Sequence, residues 1–189
     1  MMDDDRIEIA ARLFGRAPLN VLTFGGTSAT FMRGPGYDKE IIARMESALP
    51  GVPASTTSTA SVRALQALGT KKVSFVGPYV NPITQQGRKF FEASGFEVTG
   101  AHGLEIEDNL ELNDLSLERI YDFTKKSAEP NADTIFISCT GIRTVGAIAA
   151  LEADLGRPVV TAIQATFWDA LRISGVKAVQ PGFGCLFDH

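Results

Sequence analysis

Thr134 to Thr144 reads T-I-F-I-S-C-T-G-I-R-T, and the fold turns on this stretch. The apolar run at 135–138 has the length and composition of a strand buried on both faces. It runs directly into Cys139. Thr140 and Gly141 turn the chain, and the apolar spacing from Ile142 to Leu155 predicts a helix. Cys139 is therefore expected at the carboxyl end of a strand, beside a helix amino terminus. Open α/β sheets bind ligands there, and unpaired N–H groups favour an anion or a thiolate. The plain alternative is a small buried apolar residue, as most free cysteines are. A second junction of the same kind, earlier in the chain, argues for a site.

That earlier junction is V-L-T-F-G-G-T-S, where a short strand at 21–24 breaks into Gly25, Gly26, Thr27 and Ser28. Between the two junctions, strand and helix patterns alternate. Helices are predicted at 6–16, 37–49, 60–68, 84–94 and 116–127, and extended segments at 52–58, 73–76 and 97–99. After Cys139 come a strand at 158–162 and a helix at 164–173. In G-P-Y-V-N-P, Pro78 and Pro82 hold Tyr79 in a fixed turn. Such alternation, with crossovers of helical length, predicts an α/β fold with parallel sheets. The echo between the junctions predicts two similar Rossmann-like half-domains facing a central cleft. The division is placed at 1–69 plus 164–189 for the first and 70–163 for the second.

Composition narrows the function. The 189 residues are 44% hydrophobic and 21% charged, with a net charge of −4 and no Lys/Arg cluster, which argues against nucleic acid or an anionic membrane as partner. Two cysteines, Cys139 and Cys185, are too few for a disulfide framework, and no apolar run spans a membrane. With an acidic start unlike a signal peptide, a cytoplasmic protein with reduced thiols is expected. Metal binding is not predicted: His102 and His189 lack a spaced partner, and Glu105, Glu107, Asp108 and Glu111 read as a solvated acidic loop rather than a calcium loop. The dinucleotide and P-loop glycine patterns are absent, and no cofactor is expected.

What remains is a set of hydroxyls, backbone N–H groups and one thiol at loop tips: Gly26, Thr27, Ser28, Tyr79, Cys139 and Thr140. Aimed inward, such donors suit a carboxylate or the enediolate formed from one. Taken by themselves, Thr27, Ser28 and Thr140 read more simply as ordinary turn and cap residues. Trp168 reads as core, continuing the apolar spacing of Phe167 and Leu171, and Cys185 as structural. Arg143 is expected to cap or pair within its helix, and Asn109 to lie in the acidic loop.

S-C-T-G-I-R-T, followed by I-A-A-L-E-A-D-L-G-R-P-V-V and Q-A-T-F-W-D-A-L-R-I-S-G-V, resembles the second-cysteine region of the aspartate/glutamate racemase superfamily. More narrowly it resembles the branch of maleate isomerases and arylmalonate decarboxylases. T-T-S-T-A at Thr56 to Ala60 and V-G-P-Y-V at Val76 to Val80 fit that branch, and the resemblance runs from about Arg6 to the end. Racemases and isomerases of the superfamily carry a cysteine where this chain has Gly26; arylmalonate decarboxylases share the change. Direct racemisation needs an acid and a base on opposite faces of one carbon, and one thiol cannot be both. The resemblance therefore implies a cofactor-free decarboxylase of substituted malonates. It implies Cys139 as the proton donor and Gly26, Thr27, Ser28, Tyr79 and Thr140 as substrate contacts. Maleate isomerase or an Asp/Glu-type racemase is the alternative, since Thr140 stands where decarboxylases usually have glycine. An ectoine-utilisation-type or degenerate carboxylate-binding protein is another. Family members also carry a strand and loop before the first helix. The resemblance thus predicts either a truncated reading frame or an incomplete first half-domain with one strand fewer, its edge exposed or covered by a partner chain.

Overall fold

The computed structural model describes residues 5–177 and 181–189. Helix α1 (Arg6–Phe14) precedes strand β1 (Leu22–Phe24), which leads into a single helical turn, α2 (Thr27–Phe31), and then α3 (Tyr37–Ala48). Strand β2 (Ala54–Thr56) passes without a break into α4 (Thr57–Ala67), followed by β3 (Lys72–Gly77), α5 (Asn81–Ala93) and β4 (Glu97–Gly103). Next come α6 (Asn109–Asn113), α7 (Leu117–Ser127), β5 (Thr134–Ile137), α8 (Val145–Leu155), β6 (Val159–Thr161) and α9 (Ala162–Ile173), and then a 3-10 turn at Cys185–Asp188.

All strand pairings among the described residues are parallel, as expected of an α/β alternation. β1 and β2 form one sheet; the other has the order β4-β3-β5-β6. In the larger sheet the chain steps from β3 outward to β4, then crosses back over β3 to β5. That reversal sets the carboxyl ends of β3 and β5 side by side, which is the switch point where open α/β sheets receive ligands. In the smaller sheet Phe24 is level with Thr56, so the turn after β1 lies beside the start of α4.

The larger sheet is sandwiched in the main core, where Val73, Phe75, Ile135, Phe136, Val159 and Val160 are fully buried. Each such side chain contributes roughly 1.5–3 kcal/mol by leaving water. A second cluster joins Ile7 of α1, Tyr37, Ile41 and Met45 of α3, and Ala54 of β2. At the other end of the chain the Glu152 carboxylate accepts from Val159 N at 3.1 Å, Cys185 N at 3.1 Å and Cys185 Sγ at 3.2 Å, which ties the last turn to the sheet. Burial, and then Glu152, push the Cys185 thiol up to about 12.

Several boundaries differ from the sequence expectation, each for a local reason. Thr56 ends β2 and its hydroxyl accepts from Thr59 N, so α4 starts at Thr57 rather than at residue 60 and the hydroxyl-rich segment is mostly helix. Pro82 sits in the first turn of α5, where its missing N–H is not needed, and the helix starts at Asn81 instead of Thr84. Strand β4 runs on to Gly103 by pairing with β3. Helix α8 begins at Val145, not Ile142, leaving residues 138–144 as a loop. Arg143 lies in that loop, exposed, and donates to the Asn113 carbonyl at 3.2 Å instead of pairing within its helix. Within the acidic loop Asp108 caps the short α6 by accepting from Leu110 N at 2.8 Å. The Asn109 side chain lies outside the described residues. Trp168 is buried, while Phe167 is 45% exposed and stacks instead near Phe183 and Phe187.

Candidate active site

Three strand ends meet. β1 delivers Gly26 and Thr27, β3 delivers Tyr79, and β5 delivers Ser138 and Cys139. The Tyr79 hydroxyl lies 3.2 Å from Ser138 Oγ and beside both the Cys139 thiol and Thr27. Thr27 Oγ1 is buried near that hydroxyl yet closes no hydrogen bond of good geometry among the described residues. An unpaired buried hydroxyl is costly, and a ligand oxygen would satisfy it.

Cys139 is 7% exposed and has φ 94°, a conformation uncommon for a residue with a side chain. The bend brings the chain back so that Gly141 N–H donates to Sγ at 3.3 Å. Burial raises the thiol above its ordinary value, and the N–H groups of Gly141 and Ile142 and the Tyr79 hydroxyl offset this only in part. The thiol is therefore protonated at neutral pH. Tyr79 is pushed up as well, chiefly by burial and then by the neighbouring Cys139, so its phenol is a lasting hydrogen-bond donor.

Tyr79 is held from three sides. Leu104 N–H donates to the Gly77 carbonyl at 3.1 Å, Glu105 N–H to the Tyr79 carbonyl at 3.3 Å and Ile106 N–H to the Pro78 carbonyl at 3.0 Å, so the chain after β4 clasps the G-P-Y turn. Gly103 passes so close that a Cβ there would lie 2.1 Å from the Tyr79 carbonyl oxygen. Phe31 of α2 meets the Tyr79 ring edge-on, at 6.0 Å between centroids, and also packs on Phe75 and Phe90.

Thr27 and the turn before it are fixed by hydroxyls from α4 and from α2 itself. Thr57 Oγ1 accepts from Gly26 N at 3.2 Å and donates to the Phe24 carbonyl at 3.3 Å. The Thr27 carbonyl accepts from Thr30 Oγ1 at 2.8 Å and from Ser58 Oγ at 3.3 Å, and those two hydroxyls touch. T-T-S-T is thus the cradle of the glycine turn. Its signal in the sequence was a run of hydroxyls straight after a strand, the mark of a helix cap.

Of the residues singled out from sequence, Thr27, Tyr79 and Cys139 are brought together, with Gly26 on the chain entering the cluster. Ser28 is half-buried in the first turn of α2, and Thr140 is half-buried in the loop after Cys139. Ser138, Thr57, Ser58, Phe31 and Gly103 were not singled out, because their parts depend on which strand ends become neighbours. His102 lies elsewhere, with its Nε2 2.9 Å from Glu129. Among the described residues no three His, Cys, Asp or Glu side chains gather as metal ligands, and no helix is long and apolar enough to cross a membrane.

The family model described as arylmalonate decarboxylase matches residues 3–187. The arylmalonate decarboxylase of Bordetella bronchiseptica is 33% identical over 182 residues, covering 95% of this chain and 75% of that protein. The maleate isomerase of Geobacillus stearothermophilus is 31% identical over 190 residues, covering 98% of this chain and 75% of that protein. Among solved structures, arylmalonate decarboxylase superposes with a TM-score of 0.89 at 32% identity, covering 96% of this chain and 81% of that one. The maleate isomerase from Pseudomonas putida superposes with a TM-score of 0.93 at 27% identity, covering 98% of this chain and 77% of that one. Sequence and fold agree from α1 to the final 3-10 turn: alongside its similarity to maleate isomerases, the chain belongs to the arylmalonate decarboxylase family.

Proposed function

We propose that this chain is a cofactor-independent decarboxylase of substituted malonates. The carbon–carbon bond to one carboxylate breaks, CO₂ leaves, and the electron pair moves onto the retained carboxylate as an enediolate. The hydroxyls of Thr27, Ser28 and Tyr79 and the backbone N–H groups around Cys139 and Thr140 hold that enediolate. Cys139 gives its thiol proton to one face of the planar carbon, and the resulting thiolate regains a proton from solvent. Stabilising charge only as it develops is what lowers the barrier. The observation that carries the reading is the single thiol buried at the end of β5 beside the Tyr79 hydroxyl, where burial disfavours the thiolate and so suits the group to act as an acid. An isomerase working by thiolate attack needs the opposite protonation state. Gly26 supplies no second thiol for racemisation.

Incubation with aryl- and alkylmalonates, maleate and amino-acid enantiomers, following CO₂ release and optical rotation, tests the assignment. CO₂ from a malonate with an optically active product supports it; fumarate from maleate without CO₂ assigns the chain to the isomerases. Cys139→Ser is expected to abolish turnover while leaving the fold intact. The acid must hold its proton and burial raises its pKa. Activity should therefore persist above about pH 8.5, where an exposed thiol ionises, and fall only at higher pH. A rate that climbs with pH through that range would instead identify a thiolate mechanism.

A further inference from the structure

We infer that Ser138 is a positioning residue that fixes the direction of the Tyr79 hydroxyl proton. The inference deepens the decarboxylase reading and rests on it. Ser138 is fully buried at the end of β5. Its N–H is already engaged with the Val76 carbonyl at 2.7 Å, and Tyr79 Oη, 3.2 Å away, is the partner of its side chain among the described residues.

Two hydroxyls in contact share one hydrogen bond, and only two arrangements exist. If Tyr79 donated to Ser138, the serine proton would be left without an acceptor in a buried site, and the phenol would have none to offer a substrate. If Ser138 donates to Tyr79, the serine proton is satisfied. The phenol proton is then turned away, toward the side where Cys139 and the unpartnered Thr27 Oγ1 lie. The second arrangement leaves no buried serine proton unpaired and aims the phenol at the position proposed for the retained carboxylate. A phenol hydroxyl has two in-plane orientations of similar energy, so without Ser138 the productive one must be found during the reaction.

The test is a double-mutant cycle on the full chain. Ser138→Ala is expected to lower kcat about tenfold or more while moving KM little, since the lost orientation matters most when charge develops. In a Tyr79→Phe background, the same serine change should have almost no further effect on kcat, because the hydroxyl it orients is gone. A serine acting only through packing would lower both backgrounds alike. Additive losses, or a Ser138→Ala kcat within twofold of the parent, overturn the inference while leaving the decarboxylase reading standing. Should the parent release no CO₂ from any malonate, that reading falls on its own. Calorimetric binding of phenylphosphonate, whose charged oxygens mimic those of the enediolate, to the same four proteins then decides the inference: coupled losses uphold the positioning role, and independent losses or no binding reject it. Thermal melting of each variant verifies folding.

Discussion

Cys139 accepts an unfavourable backbone conformation to present its sulfur. A positive φ on a residue with a side chain costs on the order of 1–2 kcal/mol, and here the hydrogen bonds on either side of it offset that cost. Ser138 N–H is bound to β3, and Gly141 N–H is bound to the sulfur itself. The same dependence on close fit governs Tyr79. A methyl group on Gly103 would press on the carbonyl of Tyr79, backbone against backbone, so no side-chain rotation relieves it. Gly103→Ala is expected to lower stability by about 2 kcal/mol or more, measured by urea unfolding, and to depress kcat in the fraction that folds. That Thr27, Tyr79 and Cys139 follow strand ends was legible in the sequence, because each stands where an apolar run breaks into a turn. Gly103 and Ser138 were not, since an ordinary glycine and serine gain their parts only from what lies across the sheet.

At the level of elements, the longer helices followed from apolar spacing, whereas the short α2 and α6 stood in stretches read as a turn and an acidic loop, and helix starts followed from caps that spacing does not register. Thr56 and Pro82 moved two starts toward the amino terminus; the bend at Cys139 moved a third the other way. Helix α1 illustrates a docking that periodicity could not reveal, for Glu8 meets Arg44 of α3 in a paired contact at 2.5 and 2.7 Å. Hydrogen bonding to Arg44 holds the Glu8 carboxyl down to about 2. A carboxyl lowered in the folded state adds stability above its unfolded value near 4.3, and that stability is lost as pH falls through about 2. Glu8→Gln should therefore melt below the parent at pH 7, with the difference shrinking between pH 4 and 2. Because the pair is partly exposed, added salt should shrink it too.

For the molecule as a whole, the alternation of strand and helix patterns was enough to read an α/β fold with parallel sheets. The strand order that makes Tyr79 and Cys139 neighbours was not readable, because pairing between distant segments leaves no local mark. Helices α4 and α9 pack together between the two sheets, with Ser55 and Arg63 both bonded to Asp169, and one ring adds to that join. Phe31 belongs to the turn that follows β1, yet it is fully buried among Phe75, Tyr79 and Phe90 of the larger sheet's core. Phe31→Ala is expected to cost about 3–5 kcal/mol. It should also reduce kcat per folded molecule, because Thr27 loses its anchor opposite Tyr79. Phe96, buried at the far side of Phe91, is the control: Phe96→Ala should destabilise without that kinetic loss.

Gly26 has φ 175°, an extended geometry open to every amino acid, so its lack of a side chain is not a demand of the turn. An added Cβ would lie 3.2 Å from the edge of the Phe24 ring, a crowding that a shift of a few tenths of an ångström relieves. On the proposed chemistry, a single exchange there is the step between handed and unhanded products. A laboratory pool of variants selected for loss of optical purity should find that position early, and without rebuilding the backbone.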